Sequence, residues 1–400
     1  MAEINLSPSK TEIKFNARTI ILALLPFVLL AGVIAIFLAT NAGLQTPTTL
    51  PPGNLDFERV VLKEGQIIAT IVNSGNSDLT IALASVDDAF WEFKIEPSKT
   101  LKRLERATIT LNYPWVEGEL HGIKLITSDG IVFAREIAFA VATPEPSPAQ
   151  FFSFALIGLY VGVIPVALGM LWFPFLRKMG KRGLDFVLAL TVGLLIFLGV
   201  DALAEAFELG ARVPKPFQGT GLVTIGVVVS FLAIIAVGQL SRGRARDDAG
   251  QKLILAYLIA LGIGLHNFGE GLAIGSAYAI GELALGAFLV IGFTVHNMTE
   301  GFGIVAPVVK AKPALKHFIA LGLLAGAPTI LGTWIGGFVY SDIFAALFFA
   351  IGAGAIFQVV YEIGKLLGKD ADAGGSVWNA TNVAGLFTGL AIMYVTGLLV

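Results

Sequence analysis

Two segments of this 400-residue chain carry the same polar pattern, His-Asn-x-x-Glu-Gly, inside an apolar region. They are "LHNFGEGLAIG" (265–275) and "VHNMTEGFGIV" (295–305). Each supplies an imidazole, a carboxamide and a carboxylate, which are nitrogen and oxygen donors that divalent transition metals accept. The candidate ligands are His266, Asn267, Glu270, His296, Asn297 and Glu300. Because the chain has only 4 His and no Cys, the repeated pattern holds half of its imidazoles, and a thiolate site is excluded.

The spacing within each motif predicts where its side chains point. Residues four apart share a face of an α-helix, so His266 lies beside Glu270 and His296 beside Glu300. A short turn near "AYAIGELA" would make the two helices antiparallel neighbours, with both motifs near mid-helix at similar depth. We therefore expect the six side chains to converge. The Gly after each Glu should let another helix approach closely.

The composition predicts that this convergence occurs inside a membrane. Hydrophobic residues make up 56% of the chain and charged residues 14%, which is typical of a protein dissolved in lipid. An ionisable group at the bilayer centre costs about 3 kcal/mol, whereas a bound divalent cation would compensate ionised carboxylates and accept neutral imidazoles. Interhelical hydrogen bonding is the structural alternative. The net charge of −2 favours neither nucleic acid nor an acidic partner.

The N-terminal part contains one long apolar segment. Residues 19–40, "TIILALLPFVLLAGVIAIFLAT", are about long enough to cross a ~30 Å hydrocarbon layer and follow three basic residues. We interpret 1–18 as a cytoplasmic tail and 19–41 as an uncleaved transmembrane anchor. A cleaved signal peptide is the alternative, since "LATNAGLQ" offers small residues for cleavage.

Residues 45–145 have a different pattern, with short alternating runs separated by turns. "QIIATIVN" and "LTIALASV" flank a Ser/Gly/Asn turn, and "GIKLIT" and "IVFAREIAFAV" flank Asp129-Gly130, a strong hairpin signal. This predicts a small extracellular β-sandwich of Ig-like type. His121 is expected at the surface of a hairpin, and "TPEPSPAQ" (143–150) is expected to be a stiff linker.

Residues 150–400 contain eight apolar stretches, each long enough to span a bilayer as a helix. The stretches are 150–175, 184–207, 219–240, 253–279, 283–309, 316–339, 343–367 and 378–399. Basic residues cluster in alternate loops. They are Arg177, Lys178, Lys181, Arg182, Arg242, Arg244, Arg246, Lys252, Lys310, Lys312, Lys316, Lys365 and Lys369. The positive-inside rule places these loops and the N-terminus in the cytoplasm, and the β-domain and C-terminus outside.

The two motifs also carry a family resemblance. "HNFGEGLAIG" followed by "HNMTEGFGIVAPVV" resembles the fourth and fifth transmembrane helices of the ZIP family of divalent metal transporters, in particular the bacterial and archaeal type. "AGAIFQVVYEIGKL" (353–366) resembles the seventh helix, with Glu362 at its acidic position. The resemblance covers 150–400 and implies an eight-helix membrane all-α bundle. It also implies metal passage between core helices 4 and 5, with all six motif residues at ligand positions.

The chain departs from the family pattern at three places. Ala327 precedes Pro328 in the sixth helix, where the family commonly has Glu, and Gly269 and Thr299 replace the Pro of the motifs. We therefore expect one well-formed metal site with a weakened or absent neighbour. Two further polar pairs with helical spacing are candidates for the pathway. These pairs are Asp201 with Glu205 and Gln358 with Glu362.

These observations predict a plasma-membrane transporter that moves divalent cations into the cytoplasm. Zinc is the first candidate substrate, with Fe, Mn, Co and Ni as others, and no prosthetic cofactor or enzymatic activity is expected. The expected partners are the metal ions and the lipid bilayer, with homodimerisation left open. Two alternatives remain at this stage: an intramembrane metal-dependent hydrolase, although His-Glu-x-x-His is absent, and a membrane-anchored receptor or adhesion protein.

Overall fold

The computed structural model describes residues 17–40, 53–137, 140–143, 145–242, 247–279, 283–311, 313–339, 341–371 and 376–398. The chain forms two compact units, Met1–Pro51 and Pro52–Val400. Several segments with sequence expectations lie outside the described residues. They are most of the predicted tail, the 41–52 stretch, Arg244, Arg246, Lys312, residues 280–282 of the predicted turn, and Val400.

The described part of the first unit, residues 17–40, is one helix, α1 (Ala17–Thr40, 24 residues). Its length is about 36 Å at 1.5 Å per residue, enough to cross a bilayer. The described large apolar side chains, including Phe27 and Val28, are exposed around the helix. An apolar surface of this kind is stable in lipid, and the helix coincides with the anchor predicted over 19–41.

The second unit begins with nine strands that form two antiparallel sheets. The strands are β1 (Leu55–Lys63), β2 (Gln66–Asn73), β3 (Leu79–Val86), β4 (Ala89–Trp91), β5 (Phe93–Glu96), β6 (Thr100–Leu101), β7 (Arg106–Leu111), β8 (His121–Thr127) and β9 (Val132–Ile137). The sheet orders are β1-β2-β7-β5 and β4-β3-β8-β9, with β6 paired to β3. Alternate residues of the strands, such as Ile67, Ile109 and Ile123, are fully buried in one core, as in a β-sandwich.

One of the two strand pairs seen in the sequence is a hairpin and the other is not. Strands β8 and β9 pair around Asp129-Gly130, where Gly130 has φ +83°. Strand β2 instead pairs with β1 and β7, while β3 pairs with β8. The 74–78 segment therefore crosses between sheets, held by Asn73, whose Nδ2 donates to the Ser77 carbonyl at 2.8 Å. An alternating strand has the same pattern whichever partner it takes.

The expectation that His121 lies at the surface is wrong. Its ring is only 3% exposed, and both ring nitrogens have partners. Nδ1 lies 2.7 Å from Asp87 Oδ2, and Nε2 accepts from the Val116 N–H at 3.2 Å. Burial acts to raise the pKa of Asp87, but hydrogen bonds from Gly122 N–H, His121 and Tyr113 outweigh it and lower the pKa. The hydrogen bond to Asp87 raises the pKa of Tyr113 to about 12.

The rest of the second unit is helical. The helices are α2 (Pro148–Gly158), α3 (Ile164–Met170), α4 (Phe173–Leu176), α5 (Lys181–Arg212), α6 (Gly219–Arg242), α7 (Asp248–Ala279), α8 (Leu283–Val305), α9 (Leu315–Gly326), α10 (Pro328–Val339), α11 (Asp342–Ala371) and α12 (Ala380–Gly397). Helices α2 to α4, with a π-helical turn at Leu159–Val163, form one stretch, and α9 with α10 forms another. In the described residues, eight helical stretches are long and apolar enough to cross a membrane, which confirms the predicted count.

Candidate metal site

The two motifs lie on α7 and α8, which pack against each other. All six candidate side chains are buried, the most exposed being His296 at 7%. A helix in an apolar bundle can bury so many polar groups only when they contact one another or a bound ligand. The contacts of the six side chains therefore decide what the site can do.

Three of the six side chains form a group with metal-binding geometry. His266, His296 and Glu300 each offer one donor atom, and these atoms lie within 4.8 Å of one another. Among the described His, Asp and Glu side chains, no other group of three meets this criterion. The two imidazole centroids are 6.4 Å apart. One ion between the three donors would therefore be held by both helices.

Glu270 lies next to this group and joins the two helices. One carboxylate oxygen is hydrogen-bonded to His296 Nε2, and the other accepts from Asn297 Nδ2 at 2.9 Å. His266 Nε2 also lies 3.3 Å from Glu270 Oε1, although His266 forms no hydrogen bond in the described structure. The amide that flanks Glu270 thus comes from the opposite helix rather than from its own motif.

The two Asn side chains tie the motifs to neighbouring helices. Pro165 has no N–H to donate to the carbonyl four residues earlier, which belongs to Val161. Asn297 Nδ2 donates to that carbonyl at 3.1 Å. Asn267 Nδ2 donates to the Ala325 carbonyl at 3.2 Å, close to the junction of α9 and α10. Each Asn therefore uses its N–H₂ group structurally and keeps its Oδ1 available for another partner.

Several of the nitrogen and oxygen atoms that could coordinate a metal have no hydrogen-bond partner among the described residues. They are both oxygens of Glu300, both ring nitrogens of His266, and the Oδ1 atoms of Asn267 and Asn297. An unsatisfied buried polar atom costs about 1–3 kcal/mol, and more if it is charged. The carboxylate and amide oxygens are acceptors, and one of the two ring nitrogens of a neutral imidazole is an acceptor as well. A cation binds to the lone pairs of such atoms.

The glycine of each motif explains how the helices come so close. Adjacent helical residues point about 100° apart, so the residue after each Glu faces a different neighbour. A Cβ on Gly271 would overlap the Thr329 carbonyl of α10, and one on Gly301 would overlap the Val166 carbonyl of α3. Only glycine therefore fits at these two positions without moving a neighbouring helix. This is the close approach that the sequence predicts.

The remaining predicted residues lie outside the three-residue group. Asp201 on α5 is exposed but close enough to act electrostatically on His296, and Glu205 is half-buried. Gln358 and Glu362 on α11 are buried together, with Gln358 Nε2 donating to Glu362 Oε1 at 3.4 Å. Ala327 occupies the junction between α9 and α10 and offers no donor side chain.

Sequence reasoning missed two features near the site. The Val161 and Ala325 carbonyls hold the two Asn side chains, and Pro165, four residues after Val161, is the signal that could have identified the first. Thr329, directly after Pro328, is fully buried with an unpartnered hydroxyl. A polar residue beside a helix-breaking Pro inside an apolar segment is the signal for the second.

Comparison with known proteins gives a family match within the helical region. Residues 238–397 match the family model described as "Zip: ZIP Zinc transporter", and no curated protein matches the chain. Among solved structures, the archaellum periplasmic stator protein FlaG from Sulfolobus acidocaldarius is similar at 11% identity. That alignment covers 21% of this chain and 99% of that one, with a TM-score of 0.19. The family match begins within α6 and includes both motifs. Residues 238–397 are therefore similar to the ZIP zinc transporters, within a helical region whose described residues include eight stretches long and apolar enough to cross a membrane.

Proposed function

We propose that this protein carries divalent metal cations across the membrane through a site between α7 and α8. The observation that carries the proposal is the buried group of His266, His296 and Glu300, whose donor atoms lie within 4.8 Å of one another. Two of these side chains have donor atoms without any hydrogen-bond partner in the described residues. A divalent cation supplies the charge and the coordination that these atoms lack.

The six motif residues have different proposed roles. His266, His296 and Glu300 are the primary ligands because their donors already converge. Glu270 contacts both imidazoles and adds a second negative charge, so it can hold the ion as it moves along the site. Asn267 and Asn297 offer their Oδ1 atoms. Since Ala327 provides no donor at the helix junction, we expect a single strong position.

The donor set also bears on the choice of ion. Imidazole, carboxylate and amide without thiolate suit Zn²⁺, Fe²⁺, Mn²⁺, Co²⁺ or Ni²⁺. Zinc is the first candidate because it takes N and O ligands in compact four-coordinate sites. The metal is the transported substrate rather than a resident cofactor. With neutral imidazoles, the two Glu side chains balance the charge of one divalent ion.

The charge pattern predicts the orientation of the bundle, and the path and the inward direction are part of the proposal. The basic loops predict that the C-terminus of the bundle and the β-domain face the outside of the plasma membrane. Asp201 and Glu205 on α5 would then attract cations near the outer end of the helix. Gln358 and Glu362 on α11 are proposed to line the path. Transport would proceed inward by alternating access, and homodimerisation remains open as a proposal.

Elemental analysis of the purified full-length protein tests the metal site. The protein is equilibrated with an equimolar mixture of divalent metals, washed and analysed beside the double variant His266→Ala/His296→Ala. The expected result is zinc retained by the wild type and lost from the double variant, because two of three converging ligands are gone. His317→Ala is the matched control, since His317 lies on α9 and pairs with Tyr257 at 2.9 Å. Equal retention in all three proteins would contradict the proposal.

A further inference from the structure

A cavity lies among the helices of the second unit, and no motif residue lines it. It is a groove of about 430 Å³ between the first helical stretch and α9. The lining side chains are all apolar. They are Val163, Ala167, Met170, Leu171, Phe173 and Pro174 on one side, and Leu315, Phe318, Ile319, Gly322 and Leu323 on the other. A volume of this size is in the range of small-molecule sites.

The shape of the groove follows from the sequence of its two walls. The α9 wall repeats at i, i+3, i+4, i+7 and i+8 from Leu315, which is a single helical stripe. From Leu315 to Leu323 this stripe runs about 12 Å along the helix. Gly322 leaves space near the Leu323 end of the stripe, where an added Cβ would meet only Met170 Sδ, at 3.6 Å. The result is a narrow apolar channel open along its length to the lipid side.

One end of the groove lies at a basic, aromatic surface. Phe173 and Phe318 contact each other across that end, with ring centroids 4.8 Å apart. The Arg177 guanidinium lies 5.9 Å from the centre of the Phe173 ring. Trp172 and Phe175 are exposed nearby, and Trp side chains concentrate at the headgroup level of a bilayer. The mouth is therefore at the membrane interface.

The charge at this mouth is of one sign. Arg177, Lys178 and Lys316 are exposed, and none of them forms an ion pair with a carboxylate in the part of the chain that the structure describes. The segments 171–180 and 307–320 contain no Asp or Glu in the sequence. Three unbalanced cations above an apolar channel match a molecule with an anionic head and a hydrocarbon tail.

We propose that this groove binds one anionic phospholipid of the surrounding bilayer, with an acyl chain along the α9 stripe and the phosphate headgroup held by Arg177, Lys178 and Lys316. Each basic side chain near an anionic lipid surface strengthens binding about fivefold, equivalent to about 1 kcal/mol. The bound lipid would fix the first helical stretch against α9. Both elements contact the motif helices, through α3 with α8 and α9 with α7.

Lipid binding to the purified full-length protein tests the proposal. Phosphatidylglycerol and phosphatidylcholine are titrated into delipidated protein in detergent, and bound lipid is counted by native mass spectrometry. The wild type should prefer phosphatidylglycerol. The variant Arg177→Gln/Lys316→Gln should lose about 25-fold in that preference, from two neutralised charges at about fivefold each. Lys365→Gln is the matched control, because Lys365 is an exposed basic residue whose Nζ lies over Tyr361, away from the groove.

Two further variants separate the tail from the headgroup. Gly322→Leu fills the Leu323 end of the groove, and Ile319→Trp narrows it from the exposed side; both should reduce binding of either lipid. Two variants are needed because one of them could fail to fold. Equal binding of the two lipids by the wild type, or an unchanged preference in the double Gln variant, would overturn the proposal. None of these residues belongs to the metal site, so metal retention should be normal in all of them.

Discussion

Two clusters in this protein combine a buried His with a carboxylate, and they differ in how completely their atoms are paired. In the β-sandwich, Asp87 accepts hydrogen bonds from Gly122 N–H, Tyr113 and His121, while the second nitrogen of His121 accepts from Val116 N–H. In the membrane domain, Glu300 and His266 have no hydrogen-bond partner among the described residues. The polar atoms of the first cluster are paired within the protein, whereas the second leaves buried polar atoms unpaired, and we propose that a cation completes it.

Complete hydrogen bonding separates structural from functional polar groups. A fully paired network stabilises one conformation and needs no ligand. A cluster of buried polar atoms without hydrogen-bond partners is unfavourable for folding. Its presence in an apolar bundle therefore indicates a role other than stability. The same residue types therefore have opposite meanings in the two regions. Substitutions in the sandwich cluster should lower stability and leave transport unchanged. Substitutions in the cluster on α7 and α8 should abolish transport.

The largest expected effect is on transport. Glu270→Ala and Glu300→Ala should each reduce saturable metal uptake by cells to background, because each removes a carboxylate from the buried site and its charge cannot be replaced. The measurement is uptake of radioactive zinc, with surface expression quantified in parallel. Glu208→Ala is the matched control, since Glu208 lies on α5, exposed and paired with Arg212. Uptake at the wild-type level by both site variants would contradict a transport role for the cluster on α7 and α8.

A smaller effect is expected on packing. Gly301→Ala should lower the free energy of unfolding by about 1–3 kcal/mol, because its Cβ would overlap the Val166 carbonyl and force α3 away from α8. Gly122→Ala in the sandwich is the control, since a Cβ there meets nothing within 4 Å. Thermal unfolding of the purified proteins in detergent gives the comparison. A similar shift in both variants would mean that close helix contact is not what Gly301 provides.

The smallest effect concerns pH and the sandwich cluster. The pKa of Asp87 is lowered in the folded protein, so its contribution to stability is present above the ordinary value of about 3.9 and is lost as pH falls through the folded pKa. Asp87→Asn should therefore lower the unfolding midpoint at pH 7. The difference from wild type should shrink as pH falls below about 4. If the two unfolding midpoints differ by the same amount at every pH, ionisation of Asp87 does not contribute to stability. Zinc uptake at pH 7 should be the same in Asp87→Asn and the wild type.

Much of the fold could be predicted because it depends on local periodicity. The eight apolar stretches became eight helical stretches, and Asp129-Gly130 became the β8–β9 turn. The pairing of β2 and the burial of His121 could not be predicted, because both depend on which distant segment packs alongside. A short turn and an alternating pattern are equally compatible with a hairpin and with a crossing between sheets.

The same division applies to the metal site. Spacing alone placed His266 beside Glu270 on one helix face, and the repeat on the next helix predicted that the two sets would meet. Spacing could not show that Glu270 would be hydrogen-bonded to His296 and Asn297 of the other helix. It also could not show that both oxygens of Glu300 would lack a hydrogen-bond partner among the described residues. That asymmetry depends on the offset of two helices and on neighbours such as Val161.

The residue types, the helix or strand faces that they share and the number of helical stretches long enough to cross a membrane can be read from the amino-acid sequence, because helix and strand geometry repeat every few residues along the chain. Packing between distant segments sets which polar atoms are satisfied, which glycines contact a neighbouring backbone, and where an apolar groove meets basic side chains. Those properties arise between segments that are far apart in sequence. Their energies depend on distances of a few ångströms that no local pattern encodes.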